Sequence, residues 1–175
     1  SIGLPTWKRK KMLRECVRSI LAQSFQDFEL LVGNDDPREV LDKAQLGISD
    51  ERIKIYNHKK NIGELANCNF LLAQSRGRYF TWSGDDDAIH PTFLENAYKA
   101  MQRHDHPEVV FTDYDSGDTC PTDFPDVIDT GYSLSGKDFL YDYLTGKIKL
   151  QGSYGVFRRE FLLEIGGLRK LGTGF

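Results

Sequence analysis

Three consecutive aspartates, Asp85-Asp86-Asp87, follow a short aromatic run at residues 79–82. Adjacent carboxylates repel one another, and a divalent cation such as Mg²⁺ would relieve that repulsion because it takes carboxylate and phosphate oxygens as ligands. The aromatic run is typical of a strand that is too short to span a membrane. Since open α/β sheets bind ligands at the carboxyl ends of their strands, the triplet is a candidate metal site. The alternative is a solvated acidic turn that caps a helix beginning near Pro91.

A second acidic pair, Asp35-Asp36, follows another apolar run at residues 28–33. If both runs are parallel strands, the pair and the triplet share one edge of the sheet and can line one crevice. One carboxylate there could accept hydrogen bonds from a nucleoside, while the other group holds a metal on a diphosphate. Taken singly, the pair before Pro37 is also ordinary turn chemistry.

The elements that must position these residues alternate along the chain. Apolar runs predict strands at residues 1–4, 28–33, 53–56, 79–83 and 109–113, and helical spacing predicts helices at 11–24, 37–45, 65–75 and 91–103. This alternation predicts an α/β fold with a mostly parallel sheet flanked by helices. Beyond it we expect a turn-rich binding loop at 116–132, a helix at 136–144, and a segment at 156–159 that leads into a helix at 160–165.

The composition is that of one ordinary globular domain. The 175 residues are 39% hydrophobic and 28% charged, with a net charge of −3. This balance gives no reason to expect nucleic acid or anionic lipid as a partner. No apolar run reaches the ~18 residues of a membrane-spanning helix. The three cysteines, Cys16, Cys68 and Cys120, are widely spaced, which predicts reduced thiols of a cytoplasmic protein rather than a disulfide framework.

Neither glycine-rich phosphate loop, GxGxxG or GxxxxGK[ST], occurs in the sequence. Dinucleotide oxidoreductases and P-loop NTPases are therefore disfavoured, and a bound diphosphate would need a metal to neutralise much of its charge. The histidines show no zinc-ligand spacing, although His90 lies close to the triplet. The basic run Lys8-Arg9-Lys10-Lys11 could attract phosphate or form a solvated helix face.

Six motifs follow one another in order. They are Leu4-Pro5-Thr6-Trp7-Lys8-Arg9, Ser19-Ile20-Leu21-Ala22-Gln23-Ser24-Phe25, the segment 27–36, Asn61-Ile62-Gly63 with Asn69, Arg76-Gly77-Arg78-Tyr79, and the segments 157–160 and 165–168. Together they resemble the family 2 glycosyltransferases, nucleotide-diphospho-sugar transferases with the Rossmann-like GT-A fold. The resemblance covers essentially the whole chain.

The resemblance also implies site residues. Pro5 and Thr6 would border the base and ribose, Asp35 would accept a hydrogen bond from the base, typically uracil, and Asp85 would face the ribose or sugar. The triplet stands where the family has its Asp-x-Asp motif, so that Asp86, with Asp87 beside it, would hold Mn²⁺ or Mg²⁺. The implied nucleotide-binding residues are Pro5, Thr6, Trp7, Asp35, Asn61 and Asp85.

Three departures from the family pattern matter. Asn67-Cys68-Asn69 stands where Ala-Arg-Asn is common, so a basic contact is absent, and Trp7-Lys8 replaces Tyr-Asn beside the base pocket. The family's acidic catalytic base usually follows the Gly-Gly segment, and we expect it beyond Phe175. Three acidic residues that follow the fifth predicted strand could hold an acceptor, namely Asp113, Asp115 and Asp118.

The implied activity is an inverting, metal-dependent hexosyl transfer from a nucleotide-diphospho-sugar, preferably a UDP-sugar, to a hydroxyl of a carbohydrate or lipid-linked acceptor. Residues 1–113 would bind the donor and 114–175 would begin the acceptor part of a single domain. Such an enzyme would serve cell-surface polysaccharide or glycan synthesis, in the cytoplasm or at the inner face of the membrane. Because the base is missing, a donor-binding fragment that transfers poorly is one alternative. A sugar nucleotidyltransferase is the other, although it usually opens with a glycine-rich loop.

Overall fold

The computed structural model describes residues 1–112, 131–148, 150 and 155–170. Within them the strands are β1 Ile2–Thr6, β2 Leu30–Asn34, β3 Ile53–Asn57, β4 Tyr79–Trp82, β5 Val109–Phe111 and β6 Gly155–Arg158. The helices are α1 Lys10–Leu21, α2 Lys43–Leu46, α3 Glu64–Gln74, α4 Phe93–Arg103, α5 Gly136–Leu144 and α6 Arg159–Glu164.

The strands form one sheet in the order β3-β2-β1-β4-β6-β5. β1 runs parallel to β2 and β4, and β2 runs parallel to β3. β6 lies antiparallel between β4 and β5. The predicted α/β fold with a mostly parallel sheet is therefore confirmed, and the carboxyl ends of β1, β2 and β4 meet at one edge.

Helices cover both faces of the central strand because its side chains alternate. Ile2 and Leu4 of β1 are buried in a cluster with the apolar face of α1. Gly3, between them, faces α3, since a Cβ placed on it would lie 3.3 Å from Leu71 Cβ. This alternation is the period of two that a strand imposes. None of the described helices combines the length and apolarity that crossing a bilayer requires.

The predicted helix at residues 37–45 is wrong, because side chains hold most of this segment in a non-helical path. The Asn34 amide donates to the Glu39 carbonyl at 2.6 Å, and Asn57 both accepts from the Leu41 N–H and donates to its carbonyl, at 2.8 and 2.9 Å. Such side-chain bonds compete with helical ones. Only α2 is helical, and Asp42 caps it by accepting from the Gln45 N–H.

The sheet also contains a strand that the sequence did not predict. β6 occupies residues that were expected only to lead into the last helix, and Val156 and Phe157 pair there with β5. The first strand continues through Thr6 instead of ending at Leu4, because the segment 5–6 keeps its register with Gly33 and Asn34 of β2.

We expect Gly33→Ala to destabilise the fold by about 1–3 kcal/mol, the usual cost of overpacking. A Cβ at Gly33 would lie 2.1 Å from Oδ1 of Asn67, whose amide is buried and donates to the Gly33 carbonyl. Urea unfolding measures this loss. The matched control is Gly136→Ala, where an added Cβ meets nothing within 4 Å, and whose effect should stay within about 0.5 kcal/mol. Equal stability of the two variants would contradict the packing argument.

Candidate active site

Thr6, the last residue of the central strand, joins the two acidic segments. Its backbone carbonyl accepts from the N–H of Asp35 at 3.0 Å. Its hydroxyl donates to Oδ2 of Asp85 at 2.7 Å, and both side chains are buried. One residue of β1 thus contacts the segment after β2 and the segment after β4, which confirms that the acidic pair and the triplet share one edge of the sheet.

Asp35 organises the turn that precedes α3. Its carboxylate accepts from the backbone N–H groups of Ile62 and Gly63 at 2.7 and 2.9 Å. The Asn61 amide donates to the Asp35 carbonyl at 3.2 Å, which brings two of the predicted nucleotide-binding residues into contact. Gly63 has a φ of +84°, a left-handed conformation that favours glycine. Each carboxylate oxygen can accept more than one hydrogen bond, so Asp35 retains capacity for a ligand donor.

Asp36 has the turn role that the sequence left open for the pair. Its N–H donates to Oδ1 of Asn34 at 3.1 Å, and its carboxylate accepts from the backbone and the guanidinium of Arg38. The side-chain hydrogen bond from Arg38 holds the pKa of Asp36 below its usual value. The two adjacent carboxylates therefore have different partners: Asp35 holds the turn before α3, and Asp36 binds Arg38 within its own turn.

The first two carboxylates of the triplet converge on Arg9. Arg9 Nη1 lies 3.1 Å from Oδ1 of Asp85 and 2.6 Å from Oδ2 of Asp86. Asp85 is buried, whereas the side chain of Asp86 is 48% exposed. The hydrogen bond to Asp85 raises the pKa of Arg9, so this guanidinium stays charged.

Asp86 and Asp87 converge over Gly84. A Cβ placed on Gly84 would lie 2.5 Å from Oδ2 of Asp87 and 3.1 Å from Oδ1 of Asp86, so glycine leaves room for both carboxylates. Proteins usually hold Mg²⁺ by one or two carboxylates together with substrate phosphates rather than by a complete protein cage. Two converging carboxylates fit that coordination. Among the described residues, no three His, Cys, Asp or Glu side chains form a cage of their own.

A buried thiol on α1 forms a hydrogen bond with the segment that carries the triplet. Sγ of Cys16, on the buried face of α1, donates to the Gly84 carbonyl at 3.1 Å. Burial raises the pKa of Cys16 to about 12, and burial also raises that of Cys68 to about 11. Since the thiolate is the reactive form, both thiols are inert at neutral pH and serve the packing.

The segment after β1 leaves an aromatic side chain at the edge of the site. Trp7 is 51% exposed, and Nζ of Lys8 lies 4.0 Å from the centroid of its ring. Lys8 has a φ of +62°, which is strained for a residue with a Cβ. Pro5 lies inside β1, opposite Gly33. Thr6, Lys8, Arg9, Asn34 and Asp36 are among the residues that line a groove after β1 and β2.

The segment that departs from the family pattern on α3 makes contacts of its own. Asn67 donates to the Gly33 carbonyl and bonds His58 Nε2 at 3.0 Å. The Asn69 amide donates to the Leu168 carbonyl at 2.8 Å and accepts its N–H at 2.9 Å, which fixes the turn after α6. The sequence marked Asn69 as part of a family motif and the segment 67–69 as lacking a basic contact, but it did not predict these hydrogen bonds.

Some predicted residues lie outside the part of the chain that the structure describes. They are Asp113, Asp115, Asp118, Cys120, residues 116–130 of the predicted loop, and residues 171–175.

Comparison with known proteins decides the family. The sequence profile described as Glycosyl transferase family 2 matches residues 1–166. The chain belongs to this family. An uncharacterized glycosyltransferase of Rickettsia prowazekii, RP339, is 26% identical over 110 residues, which are 63% of this chain and 34% of that protein. The glycosyltransferase GlyG of Streptococcus pneumoniae is 28% identical over 125 residues, which cover 67% of this chain and 40% of GlyG. The matched residues cover 34% and 40% of these two relatives, so the chain spans only part of their length.

Solved structures share the GT-A fold of the chain. S. aureus TarS 1–349 superposes with a TM-score of 0.69 at 19% identity, over 94% of this chain and 48% of that one. The mannosyltransferase PcManGT of Pyrobaculum calidifontis, in complex with GDP-Man and Mn²⁺, superposes with a TM-score of 0.65 at 15% identity, over 96% of this chain and 46% of that one. TarS has also been solved in complex with UDP-GlcNAc and with UDP.

We expect Thr6→Val to destabilise this glycosyltransferase domain by about 1–3 kcal/mol, because valine keeps the volume but removes the donor that Oδ2 of the buried Asp85 accepts from. Thr6→Ser keeps the hydroxyl that Asp85 accepts, so it should lose only the packing of one methyl group, at most about 0.8 kcal/mol. Chemical unfolding of both variants measures the difference. If Thr6→Val is as stable as Thr6→Ser, the hydrogen bond does not hold the two segments together.

Proposed function

We propose that this chain binds the donor of a glycosyltransferase that moves a sugar from a nucleotide-diphospho-sugar to an acceptor hydroxyl. The observation that carries the proposal is the junction at Thr6, which brings Asp35 and the triplet to the same edge of the sheet. Open α/β folds bind nucleotides at that edge. The nucleotide-sugars in the structures of TarS and PcManGT support this ligand class.

We assign the base and ribose to the side of the site near Asp35. There the Asp35 carboxylate, held by the N–H groups of Ile62 and Gly63, offers an acceptor, and Thr6 lies beside it. The exposed ring of Trp7 offers a face on which a base or a sugar can stack. UDP is the preferred nucleotide in this proposal.

We assign the diphosphate to the triplet. Asp86 and Asp87 would hold Mn²⁺ or Mg²⁺, which would neutralise the charge that develops on the departing diphosphate. Asp85, whose two oxygens are bound to Thr6 and Arg9, would face the ribose or sugar by exchanging Arg9 for a hydroxyl donor. In this proposal Asp85 positions the sugar or ribose, while Asp86 and Asp87 provide the charge that holds the metal.

An inverting transfer also needs a carboxylate that deprotonates the acceptor hydroxyl. We assign this role to no described residue. A hexosyl donor, a carbohydrate or lipid-linked acceptor, and a role in polysaccharide or glycan synthesis stay predictions of the sequence.

Asp86→Asn should abolish the gain in UDP affinity that Mn²⁺ provides, because it removes the charge of the main proposed metal ligand and keeps its shape. Calorimetric titration of UDP, with and without Mn²⁺, measures that gain. Asp27→Asn is the matched control, since it makes the same charge change at an exposed position before β2, at the opposite edge of the sheet. An identical gain from Mn²⁺ in wild type and Asp86→Asn would refute the metal assignment.

Asp35→Ala should weaken uridine binding about 10- to 100-fold, with or without metal, because a hydrogen bond to a charged group contributes about 1.5–3 kcal/mol. Titration with uridine, which has no phosphate, isolates this contact. Circular dichroism and unfolding check that the variant folds, since Asp35 also holds the turn before α3. Asp86→Asn should bind uridine as wild type does. Unchanged uridine affinity in a folded Asp35→Ala protein would place the base elsewhere.

A further inference from the structure

Arg9 lies where an acidic site would hold a cation. A single nitrogen, Nη1, bonds Asp85 and Asp86, which are 76 and 77 residues away along the chain. Asp86 thus directs Oδ2 to this guanidinium and Oδ1 toward the space over Gly84 that it shares with Asp87. Arg9 and the space over Gly84 thus adjoin different oxygens of the Asp86 carboxylate.

The backbone fixes this arrangement. Arg9 is the residue that immediately precedes α1, and its neighbour Lys8 adopts the left-handed φ of +62°. The link between β1 and α1 is therefore short and turned sharply, so the side chain of Arg9 starts close to the edge of the sheet. Arg9 is also 52% exposed, so its guanidinium has solvent-accessible space into which it can move.

We propose that Arg9 is the resident counter-cation of the acidic triplet and that it opposes divalent-cation binding until a diphosphate arrives. A divalent ion held by Asp86 would lie close to the guanidinium, and like charges disfavour one another. Resting on the proposed function, a second step follows. A diphosphate offers planar Arg9 a bidentate anionic partner, so it relieves the repulsion and draws the guanidinium away from Asp86.

This arrangement makes nucleotide and metal binding mutually favourable. With the diphosphate absent, Arg9 neutralises part of the charge of the triplet and lowers its affinity for a divalent ion. With the diphosphate present, the same charge stabilises the nucleotide. By linkage, the part of the lost metal affinity that the diphosphate restores is the coupling between metal and nucleotide.

The test is titration with Mn²⁺ in the absence of nucleotide, followed by calorimetry or by the electron paramagnetic resonance of free Mn²⁺. Arg9→Gln should bind Mn²⁺ about tenfold more tightly than wild type, within the usual range of coupling between charged sites. Arg9→Lys, which keeps the charge, should remain close to wild type. Lys11→Ala removes the same charge from an exposed position on α1 and should change the affinity less than about threefold, because solvent screens exposed charges.

Each result decides the proposal. If Arg9→Gln binds Mn²⁺ no more tightly than wild type, or shows no measurable binding, Arg9 is an ordinary surface ion pair. An equal gain in Lys11→Ala would assign the effect to net charge and would also overturn it. A second titration with saturating UDP should show smaller coupling in Arg9→Gln. If neither wild type nor any variant binds UDP, the proposed function is rejected. The titration with Mn²⁺ alone still tests whether Arg9 opposes metal binding.

Discussion

The hydrogen bond from Thr6 to Asp85 is the contact on which this edge of the molecule depends. A buried carboxylate is costly unless donors surround it, and the central strand, which lies between β2 and β4, contacts both acidic segments. Ile2 and Gly3 set the register of β1 against β4. This register determines where the triplet lies relative to Thr6 at the end of β1. The same strand ends where the link to α1 begins, so the position of Arg9 follows from it as well.

The carboxylates of this site differ in burial and in the cations that they contact. Asp85 is buried and bound by Thr6 and Arg9, whereas Asp86 is half exposed and shares the same guanidinium. Asp36 is neutralised locally by Arg38. The exposed ion pairs contribute little to stability, because solvent and salt screen them. The ion pairs matter instead because each one occupies carboxylate oxygens that a ligand could otherwise contact.

The sequence predicted the parallel strands and their shared edge because apolar runs and helical spacing are local signals. It did not predict β6, whose partners Val109 and Tyr79 lie far away along the chain. It placed a helix at 37–45 because propensity cannot anticipate that Asn34 and Asn57 would bind that backbone. The triplet was recognised from its composition, but the pairing with Arg9 required the fold, since a basic run before a helix is usually a solvated face.

The residue on α3 that departs from the family pattern bears on the role proposed for Arg9. The family often has an arginine where this chain has Cys68, and Cys68 is buried in an apolar cluster with Leu72, Phe80 and Trp82. Its carbonyl accepts from the Trp82 indole at 3.2 Å, and an arginine packed there would lose its solvation. In the proposed donor site, the basic run after β1 provides positive charge that α3 lacks at that position. Arg9 is the member of that run that already contacts the triplet.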